Sequence, residues 1–153
     1  MNLLAFDPGD TTGWAFFADG MLTKWDQAKG LKSLLNAIKE LPTPDVIVVE
    51  DYRIRPGVNH SYSRVNTIQI IGALKAKALE TNAKFILQEP SIKPIGYKWM
   101  GMDVPKDHSV SHETDAMAHG YYYLVRTNVR QPWLIEQAGK NDSKDRTAES
   151  SPS

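Results

Sequence analysis

The sequence contains no cysteine among its 153 residues. This absence excludes disulfides, zinc–thiolate centres, iron–sulfur clusters and cysteine nucleophiles, so any metal ion must be held by carboxylates or histidine. Hard divalent cations such as Mg²⁺ are then the expected metals. An excess of charge of one sign is also missing, because 18 basic residues balance 18 acidic ones. Any surface that binds nucleic acid must therefore be local.

Long hydrophobic runs are absent as well. No stretch approaches the roughly 20 apolar residues needed to cross a bilayer, and the short apolar run before Asp7 lacks the pattern of a signal peptide. We expect no membrane association and a cytoplasmic location. With 41% hydrophobic side chains, the chain can bury one core. We expect one domain over residues 1–136 and a polar, disordered tail over 137–153.

The first half of the chain alternates clearly between strand and helix patterns. Apolar runs predict strands near residues 2–7, 13–18 and 21–25, with Asp19-Gly20 as a hairpin turn. Leucines and isoleucines at helical spacing from Leu31 to Leu41 then predict an amphipathic helix that ends before Pro42. The β-branched run 46–49 is typical of a strand buried on both faces of a sheet.

The second half continues the alternation. A polar connection over 52–65 precedes a helical pattern from Ile68 to Leu79, a short strand over 84–87 and a last helix over 111–126. Residues 89–110 are too rich in proline and glycine to predict regular structure. The order of elements predicts an α/β domain with a mixed five-stranded sheet and helices on both faces.

Acidic residues lie where these elements end. Asp7 ends the first strand, Glu50 ends the buried strand, and Asp115 lies in the first turns of the last helix. Strand ends of one sheet can converge, and a packed helix can add a further ligand. Carboxylates in such a place suit two Mg²⁺ ions ~4 Å apart, the arrangement that hydrolyses phosphodiesters. Asp51 could replace Glu50, since the two point to opposite faces of the strand.

Three motifs resemble the RuvC-like Holliday junction resolvases of the ribonuclease H-like superfamily, most of all the phage-encoded members. They are Asp7-Pro8-Gly9 with Thr12-Gly13-Trp14-Ala15, the Val-Val-Glu stretch ending at Glu50, and the segment from His112 to Ala118. The resemblance covers roughly residues 2 to 127. At the position of His112, some members of the family carry aspartate and others histidine.

The resemblance implies a ribonuclease H-like fold and a metal-dependent endonuclease that cuts branched DNA. It implies that Asp7, Glu50, His112 and Asp115 are catalytic and hold two Mg²⁺ ions, for which Mn²⁺ could substitute. It also implies a homodimer, because a four-way junction has two like strands to cut. Lys93 resembles a basic residue that contacts the substrate.

Two groups of side chains are candidates for contacts with DNA. The connection after Glu50 supplies basic and aromatic residues, and a second group follows the strand at 84–87. A solvated loop is an equal alternative for the first group. The candidates are Arg53, Arg55, Tyr62, Arg64, Lys93, Lys98 and Lys106.

Each motif taken alone also fits an ordinary structural role. Asp-Pro-Gly alone is an ordinary turn, and His112 with Asp115, three residues apart, could form a simple surface hydrogen bond. The rival functions are a nuclease of the same fold that acts on RNA or an RNA–DNA hybrid, an actin-like or sugar-kinase ATPase, and a protein that binds branched DNA without cutting it. The ATPase folds usually need two such domains, for which this chain is short.

Overall fold

The computed structural model describes residues 1–53, 56–57, 62–105 and 110–132. Two of the candidate DNA contacts, Arg55 and Lys106, and the predicted tail lie outside the described residues. The strands are β1 (Asn2–Asp7), β2 (Thr11–Ala18), β3 (Met21–Lys29), β4 (Val46–Glu50) and β5 (Lys84–Gln88). The helices are α1 (Leu31–Lys39), α2 (Tyr62–Thr81), α3 (Lys93–Trp99) and α4 (His112–Arg126).

The five strands form one mixed sheet in the order β3-β2-β1-β4-β5. The first three pair antiparallel, and the turn between β2 and β3 places Asp19 and Gly20 at φ angles of 50° and 77°. Strand β4 then pairs parallel to β1, and β5 pairs parallel to β4. Parallel pairs need a crossover connection, which α1 and α2 supply here. The predicted mixed sheet is confirmed.

Hydrophobic side chains pack on both faces of the sheet. On one face, Leu4, Phe6, Ile47 and Val49 contact a cluster that includes residues of α1 and α2. On the other face, alternate residues of the same strands pack against Ala116, Tyr121 and Leu124 of α4. Successive side chains of a strand point to opposite faces, so a strand covered by helices on both sides must be apolar throughout. Helices on both faces are confirmed.

The structure corrects the prediction in three places. Helix α2 begins at Tyr62, so it includes the last four residues of the predicted polar connection 52–65. Strand β3 extends to Lys29 rather than stopping near residue 25, because its pairing with β2 continues although most of its side chains are exposed. The segment after β5 contains a short 3₁₀ turn over Pro90–Ile92 and then α3, where the sequence predicts no regular structure. Pro94 is tolerated because it lies in the first turn of α3, where the missing N–H is not needed. Within the described part of the chain, no helix has the length and apolarity to cross a membrane.

Candidate active site

The carboxyl ends of β1 and β4 bring two acids together. Phe6 lies opposite Val49 in the parallel pairing of these strands, so Asp7 and Glu50 follow side by side at one edge of the sheet. Asp7 is buried, with 7% of its surface exposed. Glu50, the last residue of β4, is half-buried.

Helix α4 adds a third acid and a histidine to the same edge. Its N-terminal turn packs directly on β2, since a Cβ atom on Gly13 would lie 2.0 Å from the carbonyl carbon of His112. Only glycine permits this approach. His112 and Asp115 are three residues apart and share a face of α4. Nδ1 of His112 lies 2.9 Å from Oδ2 of Asp7.

Lys93, the first residue of α3, lies between the other two acids. Its Nζ atom is 3.0 Å from Oε2 of Glu50 and 3.5 Å from Oδ2 of Asp115. Helix α3 is held close to α4, because a Cβ on Gly96 would meet the backbone oxygen of Ala118 at 2.4 Å. The four residues that the sequence predicts as ligands therefore lie together, with Lys93 between two of them. We call Asp7, Glu50, His112 and Asp115 the acid cluster.

Two neighbours of the cluster were not among the residues that the sequence predicts for the site. Tyr97, one turn after Lys93 on α3, donates a hydrogen bond from its hydroxyl to Oδ1 of Asp115. His119, one turn after Asp115 on α4, lies 2.8 Å from Glu50 through Nε2 and 2.7 Å from Gln88 through Nδ1. The ring of His119 is completely buried. The spacing of four residues in each helix is the signal that could have found them.

Asp51 occupies a different environment from Glu50. Its side chain accepts a bond from Arg53 at 3.5 Å, and its backbone N–H donates to Gln88. Glu50, by contrast, contacts Lys93 and His119. Of the two acids that end β4, the structure brings Glu50 and not Asp51 to the cluster.

The acids of the cluster repel one another. Burial and then the negative charge of Glu50 raise the pKa of Asp7 to about 6. Burial, together with Glu50 and despite Lys93, raises the pKa of Asp115. For Glu50, burial is outweighed by the hydrogen bond and charge of His119 and by Lys93, which lower its pKa. Three carboxylates with one ammonium form a site that favours an added cation.

The donor set fits a hard divalent cation. Three carboxylates and one imidazole offer oxygen and nitrogen atoms, as Mg²⁺ and Mn²⁺ prefer. Within the described residues, however, no three His, Cys, Asp or Glu side chains stand in a ligating arrangement as they are. The ligand atoms already contact other groups: Lys93 lies between Glu50 and Asp115, and His112 is bonded to Asp7. A bound cation would exchange these contacts for its own.

A cleft of about 620 Å³ opens beside the cluster. Its lining includes Asp7, Lys93, Tyr97, His112 and Asp115, and the remaining lining residues are prolines, valines and Ser91. Charged groups and apolar side chains thus share the wall of the cleft. This arrangement can hold a phosphate beside Lys93 while an adjoining sugar or base contacts the apolar side chains.

The candidate DNA contacts are spread more widely. Lys93 lines the cleft, whereas Arg53 is exposed and forms ion pairs with Asp51 and Glu89. Tyr62 and Arg64 lie exposed in the first turn of α2, and Lys98 is exposed on α3. Among the members of this set that the structure describes, only Lys93 contacts the acid cluster.

The arrangement of the sheet and its helices is the ribonuclease H-like fold in its RuvC form. The chain is similar to RuvC from T. thermophilus in complex with a Holliday junction substrate, with a TM-score of 0.61 and 16% identity, over 86% of this chain and 99% of that chain. A second structure, Thermus thermophilus RuvC, gives a TM-score of 0.56 with the same identity and coverage. The sequence matches no protein-family model and no curated protein. At this identity the likeness shows the fold.

Proposed function

We propose that the protein is a metal-dependent endonuclease that cuts branched DNA, with the four-way Holliday junction as its substrate. The observation that carries the proposal is the convergence of Asp7, Glu50 and Asp115 from β1, β4 and α4 around Lys93, beside an open cleft. The RuvC form of the fold and the motifs of the sequence agree with it. The compactness of the domain and the Thr12-Gly13-Trp14 form of the first motif favour a phage-encoded member of this family. Such a protein would act in the cytoplasm of a bacterial host.

Asp7, Glu50, His112 and Asp115 would hold two Mg²⁺ ions, or Mn²⁺ in their place. When bound, the metal would supply an activated water and would stabilise charge on the leaving oxygen. His112 would bind metal only as a neutral imidazole. Before metal binds, its contact with Asp7 holds the ring in place.

Lys93 would contact the substrate in the cleft. Its ammonium balances Glu50 and Asp115 in the free protein. Once these acids held a metal ion, the ammonium of Lys93 would be available to the scissile phosphate, which needs a compact positive charge. Lys93 thus has a partner in both states and stays ordered.

Tyr97 and His119 position the acids from behind. The hydroxyl of Tyr97 fixes one oxygen of Asp115, and the ring of His119 fixes one oxygen of Glu50. Groups that orient a metal ligand in this way usually affect metal affinity strongly. Neither of them is proposed to touch the substrate.

The wider DNA surface would use residues outside the acid cluster. Contacts with phosphates, or stacking of the tyrosine on an unpaired base, would come from Arg53, Arg55, Tyr62, Arg64, Lys98 and Lys106. Such contacts bind without cutting, so their loss should weaken binding and reduce its salt dependence. A homodimer would present two such sites to the two like strands of a junction.

A panel of labelled substrates tests the proposal. Rates are compared for a four-way junction, a flap, a linear duplex and an RNA–DNA hybrid, each with Mg²⁺ and with EDTA. The proposal expects Mg²⁺-dependent cleavage of the junction well above that of the duplex. Preferential cleavage of the hybrid would contradict the proposed substrate but not the proposed active site. Binding without cleavage of any of these substrates would contradict the proposed enzymatic activity.

A further inference from the structure

A second cavity lies beside the turn between β1 and β2. It measures about 330 Å³ and is lined by that turn, by the junction of β3 with α1, and by the N-terminal half of α2. Helices α1 and α2 cover one face of the sheet, while Asp7 contacts α4 on the other face. We call this space the α2 cavity.

The α2 cavity lies close to the proposed active site. Asp10 lines it and follows Asp7 by three positions in the chain. Three residues span at most about 11 Å. That length corresponds to about three nucleotides of a stacked DNA strand, at ~3.4 Å each. A strand with its scissile phosphate at the acid cluster can therefore reach the α2 cavity with a neighbouring nucleotide.

The wall of the cavity suits a flat apolar ring. Ile70 is buried and Leu31 is half-buried, and beside them Tyr62, the first residue of α2, is 82% exposed. Gly30 also lines the cavity, and a Cβ atom there would meet nothing within 4 Å, which leaves the backbone accessible. The volume is at the lower end of the ~300–1,000 Å³ found for ligand pockets, so one nucleobase suits it and a duplex does not.

A charged hydrogen-bond acceptor is fixed at the edge of the cavity. The hydroxyl of Ser63 donates to Oδ2 of Asp10 at 2.7 Å, and Nδ2 of Asn66 donates to Oδ1 at 3.2 Å. These two bonds, with the charge of Lys29, lower the pKa of Asp10, so it is ionised at neutral pH. A carboxylate has about four lone-pair positions, so Asp10 can still accept further hydrogen bonds.

Further polar groups surround Asp10. Asn66 and Gln69, three residues apart on α2, both line the cavity, and a side-chain amide can both donate and accept. The exposed Lys29 at the end of β3 brings a positive charge, which suits a phosphate. Asp10 would repel a phosphate, so its place in the wall favours contact with the edge of a base.

We propose that the α2 cavity binds the base of one unpaired nucleotide in the strand that is cut, within about three nucleotides of the scissile phosphate. The base would lie over Leu31 and Ile70, and its amino group would donate to Asp10. Lys29 would contact an adjoining phosphate. A branch point offers such a nucleotide, since a base that is already unpaired costs little to move out of the stack. The proposal rests on the proposed function for its ligand, and it adds a site that reads a base.

The chemistry of Asp10 predicts which bases bind. A carboxylate accepts hydrogen bonds and cannot donate them, so the base must supply the donor. Adenine, cytosine and guanine carry amino groups, whereas thymine carries none. The first three should therefore bind more tightly than thymine, and a strand without any base should bind least tightly.

Binding of short oligonucleotides in EDTA tests the cavity in the absence of cleavage. Each probe has five nucleotides, with one base at the centre and abasic sites on both sides, so no neighbouring base can take its place. The full chain should bind the adenine, cytosine and guanine probes about tenfold more tightly than the thymine probe, as expected for one hydrogen bond to a charged group. A wholly abasic probe should bind more weakly still, because it cannot stack.

Asp10→Asn is the decisive variant. An amide donates as well as accepts, so the preference over thymine should fall to about twofold or less. Asp26→Asn removes the same charge from an exposed residue of β3 outside the cavity and should keep the tenfold preference. If Asp10 served only to anchor α2 through Ser63 and Asn66, its replacement would weaken the binding of all probes alike. That outcome, or equal binding of all five probes by the parent, would overturn the proposal.

Cleavage of a four-way junction locates the nucleotide that is bound. Single abasic sites are placed in turn at three positions on each side of the cut. One of them should slow single-turnover cleavage by about tenfold or more, and the others should have much smaller effects. Base-dependent binding of the probes without cleavage of any junction would support the α2 cavity and contradict the proposed nuclease. Cleavage at the parent rate with every abasic site, and equal binding of all probes, would overturn the α2 cavity and leave the nuclease standing.

Discussion

The imidazole of His119 is completely buried and lies 2.8 Å from the carboxylate of Glu50. Its other nitrogen lies 2.7 Å from the side-chain oxygen of Gln88, the last residue of β5. The ring therefore joins α4 to the carboxyl ends of two parallel strands. Since Glu50 and Gln88 are paired neighbours in the sheet, this contact holds Glu50 in one orientation beside Lys93.

Replacing His119 should alter the metal requirement of the enzyme. His119→Phe keeps a buried ring but removes both hydrogen bonds, so Glu50 loses its orientation. The Mg²⁺ concentration for half-maximal cleavage should rise by about 10- to 100-fold, as for other groups that orient metal ligands. Thr67→Val, which removes a buried hydroxyl and its hydrogen bond away from the acid cluster, should lower stability without moving the Mg²⁺ requirement. An unchanged Mg²⁺ titration for His119→Phe would show that Glu50 needs no such support.

Replacing Asp7 should stabilise the metal-free protein. Its pKa is raised by burial and by Glu50 to about 6, above the ordinary value of 3.8. The folded state thus binds the proton more tightly, and the free energy of unfolding falls as pH rises from about 4 through 6. At pH 7 to 8 the cost is about 2 to 3 kcal/mol at ~1.4 kcal/mol per pKa unit. Asp7→Asn removes this cost.

The test is thermal unfolding in EDTA across pH. Asp7→Asn should have a higher Tm than the parent at pH 8 and no such advantage below pH 4, where Asp7 is protonated in both states. Asp103→Asn, the same change at an exposed carboxylate, should leave Tm nearly unchanged. Adding Mg²⁺ should raise the Tm of the parent and not that of Asp7→Asn. Equal Tm values for parent and Asp7→Asn at pH 8 would mean that neither burial nor the charge of Glu50 makes ionised Asp7 costly.

The rate of cleavage should be sensitive to substitution of Gly13 as well as of the acids. Gly13→Ala places a methyl group 2.0 Å from the carbonyl carbon of His112, so α4 must shift away from β2. Because a misplacement of about 1 Å can cost 100-fold in rate, cleavage should fall by at least about tenfold. In the turn between β1 and β2, Gly9→Ala meets only the carbonyl oxygen of Thr11 at 3.2 Å and should have a much smaller effect. Similar cleavage rates for the two variants would argue against tight packing of α4 on β2.

The sheet could be predicted because its signals are local. The β-branched run 46–49 identifies a buried strand, and Asp19-Gly20 identifies a hairpin, each within a few residues. Helix α3 could not be predicted in this way. It is seven residues long and begins with Lys93-Pro94, and a close contact of Gly96 with Ala118 holds it in place. Such a contact, between residues far apart in the chain, leaves no periodic pattern.

The candidate site shows the same division. Asp7 and Glu50 could be placed together because parallel strands end at one edge of a sheet. Tyr97 and His119 share a helix face with Lys93 and Asp115, but the groups that they contact could not be assigned, since these depend on the angle at which α3 and α4 reach that edge.

Single-turnover cleavage of a labelled four-way junction tests the central claim most directly, when binding is measured on the same samples. The parent should cut in Mg²⁺ and not in EDTA. Asp7→Asn, Glu50→Gln and Asp115→Asn should each bind the junction about as tightly as the parent and cut at least about 100-fold more slowly, because each removes a charge that would hold metal. Cleavage by Asp7→Asn at the parent rate would contradict the proposed active site.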